Sequence, residues 1–468
     1  MRAQEILAAT AIDVRPRHEP RMVYRCVACG EEHELERLLY VCPRCRSLLR
    51  VADRNFDALR ERTGEQWRTV FDLRRCLQEE GMRGIFLFHE LVLPWVPLED
   101  VIYLGEGHTP LVRGNAEMAA WLGAPCFVKN DGQNPSASFK DRGMASAISF
   151  LNHYIRRYRP DSVLGICAST GDTSAAAALY LSYLPAGVVT SAVLLPAGRV
   201  TPQQLSQPLG SGATVIEVPG VFDDCMKLVE SLSETYDVFL LNSKNPVRIC
   251  GQKSFAFEVA QQLGWRTDRL TVVVPIGNAG NVTALMEGFL DLRSLGIIDA
   301  LPRILGVQSE HANPVSLWHD SGEYRPTGVR PSVAQAAMIG NPVSFPKVKG
   351  LVEEHFRERF DCISVTEQEI MDSMLVANRH GHVVCTQGGE ALAGLRRALG
   401  EGRVDKGGTF VCDSTSHQLK FAGFQEAYFA DTLGPEFEVR PRAELQNRPV
   451  SLPATVEAIA ERLGLKRR

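Results

Sequence analysis

The stretch TVVVPIGNAGNVTALMEGFL, residues 271–290, indicates the fold of this chain most directly. Its β-branched run, residues 271–275, predicts a buried strand, and residues 282–290 have the composition of a helix. Between the two lies the turn Gly277-Asn278-Ala279-Gly280-Asn281. A strand, a glycine-rich turn and a helix in succession are typical of an α/β fold, where such a turn lies at the carboxyl edge of a parallel sheet.

The same alternation of short β-branched runs with Ala- and Leu-rich stretches continues on both sides of this segment. It predicts a largely parallel sheet in an α/β fold. We also expect a helix over residues 174–184 and a closing helix over 454–463. The predicted strands are residues 163–167, 189–195, 214–218, 238–241, 271–274 and 304–307.

The bulk composition is that of a cytoplasmic metabolic enzyme. With 468 residues, 45% of them hydrophobic, the chain is expected to divide into two or three domains. A formal charge of -4 gives no global basic field for nucleic acid or anionic membranes. No apolar run reaches membrane-spanning length, and eight of the 12 cysteines are scattered singly, which suits a reducing compartment.

The other four cysteines form two close pairs, Cys26-x-x-Cys29 and Cys42-x-x-Cys45, near the N-terminus. Each pair can lie on a tight turn, and the short spacer allows a hairpin to bring the pairs together. Four thiolates would then form a closed tetrahedral Zn²⁺ site that holds a small module without a core of its own. The alternatives are four reduced thiols or a redox role, the latter disfavoured because no βαβ pattern surrounds them.

Two glycine-rich turns are candidate anion sites. One is residues 277–281, and the other is Ser169-Thr170-Gly171-Asp172-Thr173 after the predicted strand 163–167. Each would place unpaired backbone N–H groups and a helix N-terminus at the carboxyl edge of a sheet. Either turn alone could equally be only a tight connection.

A third segment, Ser138-Phe139-Lys140-Asp141-Arg142-Gly143-Met144, precedes apolar residues at helical spacing. Lys140 is therefore expected at the start of a helix whose apolar face is buried. Two interpretations remain open for this segment by itself. Lys140 is either a solvated lysine beside Asp141 or an amine with a depressed pKa that forms a Schiff base.

Together these blocks resemble the threonine synthases of the tryptophan-synthase-β-like group, over roughly residues 100–425. That resemblance implies a fold type II pyridoxal-phosphate enzyme, with two doubly wound α/β domains around the cofactor. Some members also carry an N-terminal zinc ribbon, as the cysteine pairs suggest here. The other matching blocks are EGHTPL at 106–111, NS-x-NP-x-R at 242–248, GQK at 251–253, IGNPVS at 339–344 and STSHQLKF at 414–421.

The resemblance also implies roles for individual residues around pyridoxal 5'-phosphate. Lys140 would hold the cofactor as a Schiff base and afterwards move protons, with Phe139 near the cofactor plane. The backbone N–H groups of Gly277, Asn278, Ala279, Gly280 and Asn281 would bind the cofactor phosphate. Asp172 would contact the ring hydroxyl, and Thr415 would hydrogen-bond the pyridine nitrogen without forcing its protonation.

The implied reaction is that of a carbon–oxygen lyase, which converts O-phosphohomoserine and water into threonine and phosphate. The substrate phosphate needs a second anion pocket, in which Arg248 matters most because a guanidinium can hold a phosphate through two hydrogen bonds. The alternative for Arg248 is a surface ion pair. The implied pocket consists of Ser169, Thr170, Asn242, Ser243 and Arg248, with Asn281 adjacent.

The sequence departs from the family pattern in places. Gln418 replaces the usual Gly beside the pyridine partner, Ser136-Ala137 replaces Thr-Gly, and residues 385–390 lack the common Glu-Pro or Cys-Pro opening. Of these changes, Gln418 bears on fine substrate choice. Two alternatives use the same cofactor: an enzyme for another phosphorylated amino acid, such as a phosphoserine β-replacement enzyme, or a serine/threonine deaminase. The zinc ribbon allows a third, a nucleic-acid-binding or partner-docking protein whose enzyme domain is no longer active.

The expected organisation has four parts. Residues 1–55 are predicted to be the zinc-ribbon-like module, 56–100 a connecting segment, 101–433 the catalytic region and 434–468 a C-terminal extension. A smaller α/β subdomain, about 145–245, is inserted in the catalytic region. Dimers are common in the family, so a homodimer is an assembly that the resemblance suggests.

Overall fold

The computed structural model describes residues 12–77, 79–169, 171–197, 202–220 and 222–466. The strands of this part of the chain form one three-stranded, one four-stranded and one six-stranded sheet. The strands are β1 (Met22–Cys26), β2 (Glu32–Glu34), β3 (Leu49–Asp53), β4 (Leu111–Arg113), β5 (Phe127–Asn130), β6 (Val163–Ala168), β7 (Val189–Pro196), β8 (Thr214–Val218), β9 (Val238–Leu240), β10 (Leu270–Pro275), β11 (Arg303–Ser309), β12 (Phe360–Val365) and β13 (Thr409–Ser414).

The α-helices lie mainly between strands of the two larger sheets, which confirms the predicted α/β fold. They are α1 (Gly64–Arg74), α2 (His89–Val92), α3 (Ala116–Leu122), α4 (Lys140–Tyr158), α5 (Asp172–Leu181), α6 (Pro202–Gly210), α7 (Phe222–Thr235), α8 (Pro246–Gln252), α9 (Ser254–Gln262), α10 (Gly280–Ser294), α11 (Pro314–Ser321), α12 (Phe345–Leu351), α13 (Glu367–Arg379), α14 (Thr386–Gly400), α15 (Ala422–Ala430), α16 (Gly434–Phe437) and α17 (Val456–Leu463).

The six-stranded sheet has the order β12-β11-β10-β13-β5-β4. Its neighbours pair in parallel except for β4 and β5, which are antiparallel. Because β10 and β13 are parallel neighbours, the segments that follow them leave the sheet at the same edge. The Gly-Asn turn after β10 and Thr415 after β13 are thereby brought to one side of the sheet.

The four-stranded sheet has the order β8-β7-β6-β9 and is parallel throughout. The Ser169 turn follows β6, and Asn242 comes shortly after the adjacent strand β9. The helix after this turn begins at Asp172 and ends at Leu181, earlier at both ends than the predicted 174–184. It ends before the chain reaches Pro185, since the residue before a proline disfavours helical geometry.

The remaining sheet is antiparallel and has the order β2-β1-β3. Of the four clustered cysteines, Cys26 ends β1 and the other three lie in the connecting loops. The buried residues Tyr24, Leu35 and Leu49 of this N-terminal module belong to the same hydrophobic cluster as the main body. The Tyr40 hydroxyl donates to the carbonyl of Val238 at 3.2 Å and accepts from the backbone N–H of Leu240 at 2.9 Å. The N-terminal module thus docks on edge strand β9.

All six predicted strands are present, with ends that differ by at most two residues from the prediction. The predicted closing helix begins at Val456. In the described part of the chain, no helix combines the length and the apolar character needed to cross a membrane. The expected division into four parts stays a prediction.

Candidate active site

Lys140 is the first residue of α4, as the sequence predicts. The loop before it is held against the segment after β13: the Phe139 N–H donates to the Thr415 carbonyl at 2.8 Å, and Ser138 forms a β-bridge with Ser416. Ala137 adopts a positive φ of 66°, which turns the chain into the helix. The start of α4 is therefore fixed directly beside the carboxyl end of the large sheet.

The side chain of Lys140 lies over the Phe139 ring, with Nζ 3.8 Å from the ring centroid. Loss of hydration lowers the pKa of Lys140 to about 7, and repulsion from Arg248 and Lys420 acts in the same direction. The carboxyl groups of Asp172 and Asp413 oppose this shift. A substantial fraction of the amine is therefore uncharged at neutral pH, which a Schiff-base lysine requires.

Two residues beyond Lys140, Arg142 lies in a buried charge cluster that sequence reasoning missed. Its guanidinium donates to Asp131 at 2.8 Å and to Glu258 at 2.6 Å. Lys129 also donates to Glu258 at 2.7 Å, and the Thr109 hydroxyl donates to Asp131 at 2.7 Å. We call these five residues the scaffold cluster. It fixes the first turn of α4, and hence Lys140, against β5 and α9.

The Gly277–Asn281 turn has the geometry of an anion cradle. Ala279 has a φ of 62° and immediately precedes α10, so consecutive backbone N–H groups converge at a helix N-terminus. Gly277 packs so closely that a Cβ there would lie 3.1 Å from the Cα of Ala337. Asn281 donates from Nδ2 to Asp413 at 2.8 Å, which occupies its side chain and leaves its backbone for an anion.

Asp172 begins α5, and its carboxylate faces the segment after β13. Oδ2 accepts a hydrogen bond from the Ser416 hydroxyl at 2.9 Å, and Oδ1 lies 3.1 Å from Nζ of Lys420. These contacts join the four-stranded and six-stranded sheets. Sequence reasoning gave no role to Ser416 or Lys420, although both lie within the STSHQLKF block.

Thr415 is buried beside the thiol of Cys385, with Oγ1 3.8 Å from Sγ. Its neighbour Ser414 is also buried, and its hydroxyl has no hydrogen-bond partner in the described part of the chain. Burial raises the pKa of the Cys385 thiol, so this group stays neutral. Ser414 and Thr415 thus offer uncharged hydroxyls at the position expected to face a ring nitrogen.

Arg248 is buried on α8, so the surface ion-pair interpretation is wrong. Nη1 donates to the carbonyl of Leu241 at 2.8 Å, but Nε has no hydrogen-bond partner among the described residues. Burial lowers the pKa of Arg248 to about 10, which leaves it charged at neutral pH. A buried cation with an unused donor is a ready site for an anion.

The other residues expected around the second phosphate have different environments. Asn242 forms two hydrogen bonds with Ala168, accepting from its N–H at 2.9 Å and donating to its carbonyl at 2.7 Å. The Asn242 amide therefore positions the end of β6 and the Ser169 turn. Ser169 and Ser243 are partly exposed. Thr170 lies outside the described residues.

A cavity of about 620 Å³ lies at the start of α5, beside Gly171 and Asp172. Helices α5 and α6 contribute Asp172 and Gln207, and the segment after β13 contributes His417 and Lys420. Gln207 also crosses the cavity edge, where its amide donates to the Ser136 carbonyl at 3.1 Å. The cavity is large enough for a small amino acid derivative and lies beside Asp172, whose charge acts on Lys140.

The four N-terminal cysteines converge as their spacing predicts. The thiols of Cys26, Cys29, Cys42 and Cys45 lie within 4.8 Å of one another, and none is in a disulfide. Cys26 Sγ is 3.4 Å from Cys45 Sγ, and Cys29 Sγ is 3.8 Å from Cys42 Sγ. This arrangement is compatible with tetrahedral coordination of a metal ion.

The chain is similar in sequence to known enzymes of one family. Residues 102–414 match the family model for pyridoxal-phosphate dependent enzymes. The chain is 35% identical to threonine synthase of Methanocaldococcus jannaschii over 407 residues, which cover 85% of this chain and 93% of that protein. It is 39% identical to threonine synthase of Synechocystis over 351 residues, 74% of this chain and 86% of the relative.

Solved structures show the same fold at lower sequence identity. Threonine synthase from Escherichia coli is 20% identical, with a TM-score of 0.63 over 95% of this chain and 99% of that one. A pyridoxal-phosphate-bound threonine synthase from Brucella melitensis is 18% identical, with a TM-score of 0.64 over 93% of each chain. At these identities the likeness supports the fold only.

Proposed function

The chain belongs to the threonine synthases, within the pyridoxal-phosphate dependent enzymes, and we propose that it converts O-phosphohomoserine and water into threonine and phosphate. One observation carries the choice of substrate: the buried Arg248 retains an unused donor within electrostatic reach of Lys140. An enzyme for uncharged amino acids would have no use for this costly buried cation.

The described residues are suited to pyridoxal phosphate. Lys140 supplies a largely uncharged amine, the turn at 277–281 supplies backbone donors for a phosphate, and Ser414 has a buried hydroxyl without a partner. When bound, the cofactor supplies the electron sink for carbanion chemistry. Lys140 would hold the cofactor, Asp172 would contact its ring hydroxyl, Thr415 would hydrogen-bond its pyridine nitrogen, and Phe139 would lie near its plane.

The chain's own residues have separate tasks in this reaction. Arg248 binds and orients the substrate phosphate, assisted by Ser169, Thr170 and Ser243. Asn242 holds the end of β6 in place through its two hydrogen bonds with Ala168. The amine of Lys140, once released from the cofactor, takes and returns protons at the substrate carbons. A base with a pKa near the working pH can do both efficiently, which the pKa of about 7 supports.

The test compares phosphate release from O-phosphohomoserine and O-phosphoserine by the cofactor-loaded protein. We expect release from O-phosphohomoserine with formation of threonine, at least tenfold faster than release from O-phosphoserine. Lys140→Ala should remove about 10³-fold of the activity, whereas Lys406→Ala, at an exposed lysine, should not. Faster release from O-phosphoserine would favour the phosphoserine β-replacement alternative. Ammonia from unphosphorylated serine or threonine would indicate a deaminase.

We also propose that Cys26, Cys29, Cys42 and Cys45 bind one structural Zn²⁺. Their closed four-sulfur arrangement has no open coordination position for a substrate, so the ion would stabilise the module that carries Tyr40. Metal analysis should find about one zinc per chain. Cys29→Ser should lose it and Cys76→Ser, at an exposed cysteine outside the group, should keep it. Equal zinc content in both variants would contradict the assignment.

Two further proposals concern the protein's location in the cell and its oligomeric state. The thiols of the described chain are all free, which supports a location in the reducing cytoplasm. A homodimer is proposed from the resemblance alone, and sedimentation of the purified protein would test it.

A further inference from the structure

We infer that Lys420 is a positioning residue: it balances the negative charge of Asp172 and sets the orientation of that carboxylate at the proposed cofactor site. This inference rests on the proposed cofactor site and deepens it. Neither the family match nor the relatives' descriptions give Lys420 any role.

The contacts of Lys420 link the two sides of the cavity. Its Nζ lies 3.1 Å from Oδ1 of Asp172 and donates to the Ser136 carbonyl at 2.8 Å. Ser136 lies in the loop before Lys140. The Lys420 ammonium therefore connects Asp172 to the loop that leads into the proposed Schiff-base lysine. The Lys420 side chain is 12% exposed and the Asp172 side chain 3%, which makes this ion pair largely shielded from solvent.

Asp172 accepts one hydrogen bond, from Ser416, and forms one ion pair, with Lys420, so its charge depends on Lys420 for compensation. The Ser416 hydroxyl binds Oδ2 but carries no charge, so the positive charge beside this carboxylate comes from Lys420. The Asp141 carboxyl also lies within electrostatic reach of Asp172 and can add charge of the same sign, whereas the nearby Cys385 thiol is neutral. Removing Lys420 would leave this buried carboxylate with only the neutral Ser416 hydroxyl beside it.

The charge of Lys420 also acts on Lys140, so Lys420 affects that amine both directly and through Asp172. The charged groups that act on Lys140 are Arg248 on α8, Asp172 on α5, Asp413 at the end of β13, and Lys420 after β13. Removing the Lys420 cation leaves Asp172 less compensated. A less compensated carboxylate stabilises a proton on any base that it faces. The pH at which the bound cofactor's visible absorption titrates should therefore move upward.

The experiment is a pH titration of the visible absorption of the cofactor-loaded protein, without substrate. Lys420→Met should raise the midpoint by about one pH unit, and Lys420→Arg should restore it to within about 0.3 unit, since a cation is retained. With substrate, Lys420→Met should lower kcat about tenfold and change KM less than about threefold, because the residue acts through Asp172. The exposed Lys406→Met is the matched control.

A double-mutant cycle separates action through Asp172 from direct repulsion of Lys140. In an Asp172→Asn background, the shift caused by Lys420→Met should fall to less than half, since the carboxylate that Lys420 compensates is gone. An unchanged shift in that background would overturn the inference, and so would a Lys420→Met midpoint equal to that of the wild type. If Lys420→Met does not fold, the titration midpoint is compared in Asp172→Asn and in Asp172→Asn with Lys420→Arg. A downward shift of the midpoint that occurs in the first variant and is absent in the second would count against the inference.

The two levels of the proposal fail in different ways. The titration needs only bound cofactor. If the protein does not turn over O-phosphohomoserine but Lys420→Met still shifts the titration midpoint, the proposed substrate is rejected and the role of Lys420 is kept. Turnover of that substrate with no shift would keep the substrate and reject the role of Lys420.

Discussion

Helix α4 carries residues of two buried charge clusters that differ in how completely they are paired. The scaffold cluster sets Lys129 and Arg142 against Asp131 and Glu258, and its charges sum to zero. The second, which we call the reaction cluster, contains Lys140, Asp172, Arg248, Asp413 and Lys420. In it Arg248 lacks a carboxylate partner among the described residues, and burial raises the pKa of Asp413 well above its usual value.

The comparison teaches which cluster is available to a ligand. Paired carboxylates hold the pKa of Arg142 above its ordinary value, although burial works against them, whereas burial lowers the pKa of Arg248. In the reaction cluster Lys420 pairs with Asp172, whereas no carboxylate among the described residues pairs with Arg248. A phosphorylated substrate would complete it, while the scaffold cluster is already complete.

The largest expected effect comes from breaking the scaffold cluster. Arg142→Met would leave Asp131 and Glu258 as buried carboxylates with only part of their compensation. We expect the free energy of unfolding to fall by about 3–5 kcal/mol, measured by denaturant unfolding. Arg269→Met, which removes an exposed ion pair with Asp405, is the control and should change stability little. An unfolding midpoint in Arg142→Met equal to the control would contradict the comparison.

Breaking the reaction cluster should weaken substrate binding without lowering stability. Arg248→Met removes a buried cation without stranding a carboxylate, so the stability of the cofactor-loaded protein should not fall. The KM for O-phosphohomoserine should rise about 30-fold, equivalent to about 2 kcal/mol of lost charged hydrogen bonding. Arg248→Lys should give an intermediate KM, since it keeps charge but not two-point binding.

The matched control for that prediction is Arg293→Met, at an exposed arginine on α10. It should leave both KM and stability unchanged. A destabilised Arg248→Met protein with unaltered KM would mean that Arg248 belongs to the scaffold, and the contrast between the clusters would be lost.

A smaller effect concerns the pH dependence of cofactor capture. Because the pKa of Lys140 is lowered to about 7, the reactive neutral amine increases as pH rises through that value. The rate at which cofactor-free protein acquires the visible absorption of bound pyridoxal phosphate should therefore be half-maximal near pH 7. Arg248→Met should move this midpoint upward, since a repelling cation is removed. A rate that keeps rising to about pH 10 would show an unperturbed lysine.

The sequence predicted those parts of the protein that depend on local pattern. Each of the six strands and the position of Lys140 at the start of a helix follow from periodicity and turn composition. The convergence of the four cysteines follows from their spacing. The residue roles at the site came from the resemblance and stay predictions.

The scaffold cluster could not be predicted in this way. Arg142 and Glu258 are 116 positions apart. They meet because α4 packs against α8, which leads directly into α9. The ion pair of Lys420 with Asp172 likewise depends on how two sheets face each other. Tyr40 gives no sequence signal that its hydroxyl binds an edge strand about 200 positions later. Long-range polar pairs of this kind leave no periodicity in a single sequence.

The smallest expected effect tests a neutral contact, remote from both charge clusters, for comparison with them. In Tyr40→Phe the aromatic ring stays, but the backbone groups of Val238 and Leu240 lose the hydroxyl that pairs with them. Neutral hydrogen bonds contribute less than buried ion pairs, so the free energy of unfolding should fall by only about 1 kcal/mol. Tyr183→Phe, at a tyrosine 64% exposed, is the control. A loss as large as that of Arg142→Met would mean that docking of the N-terminal module, and not charge pairing around α4, dominates the stability of this fold.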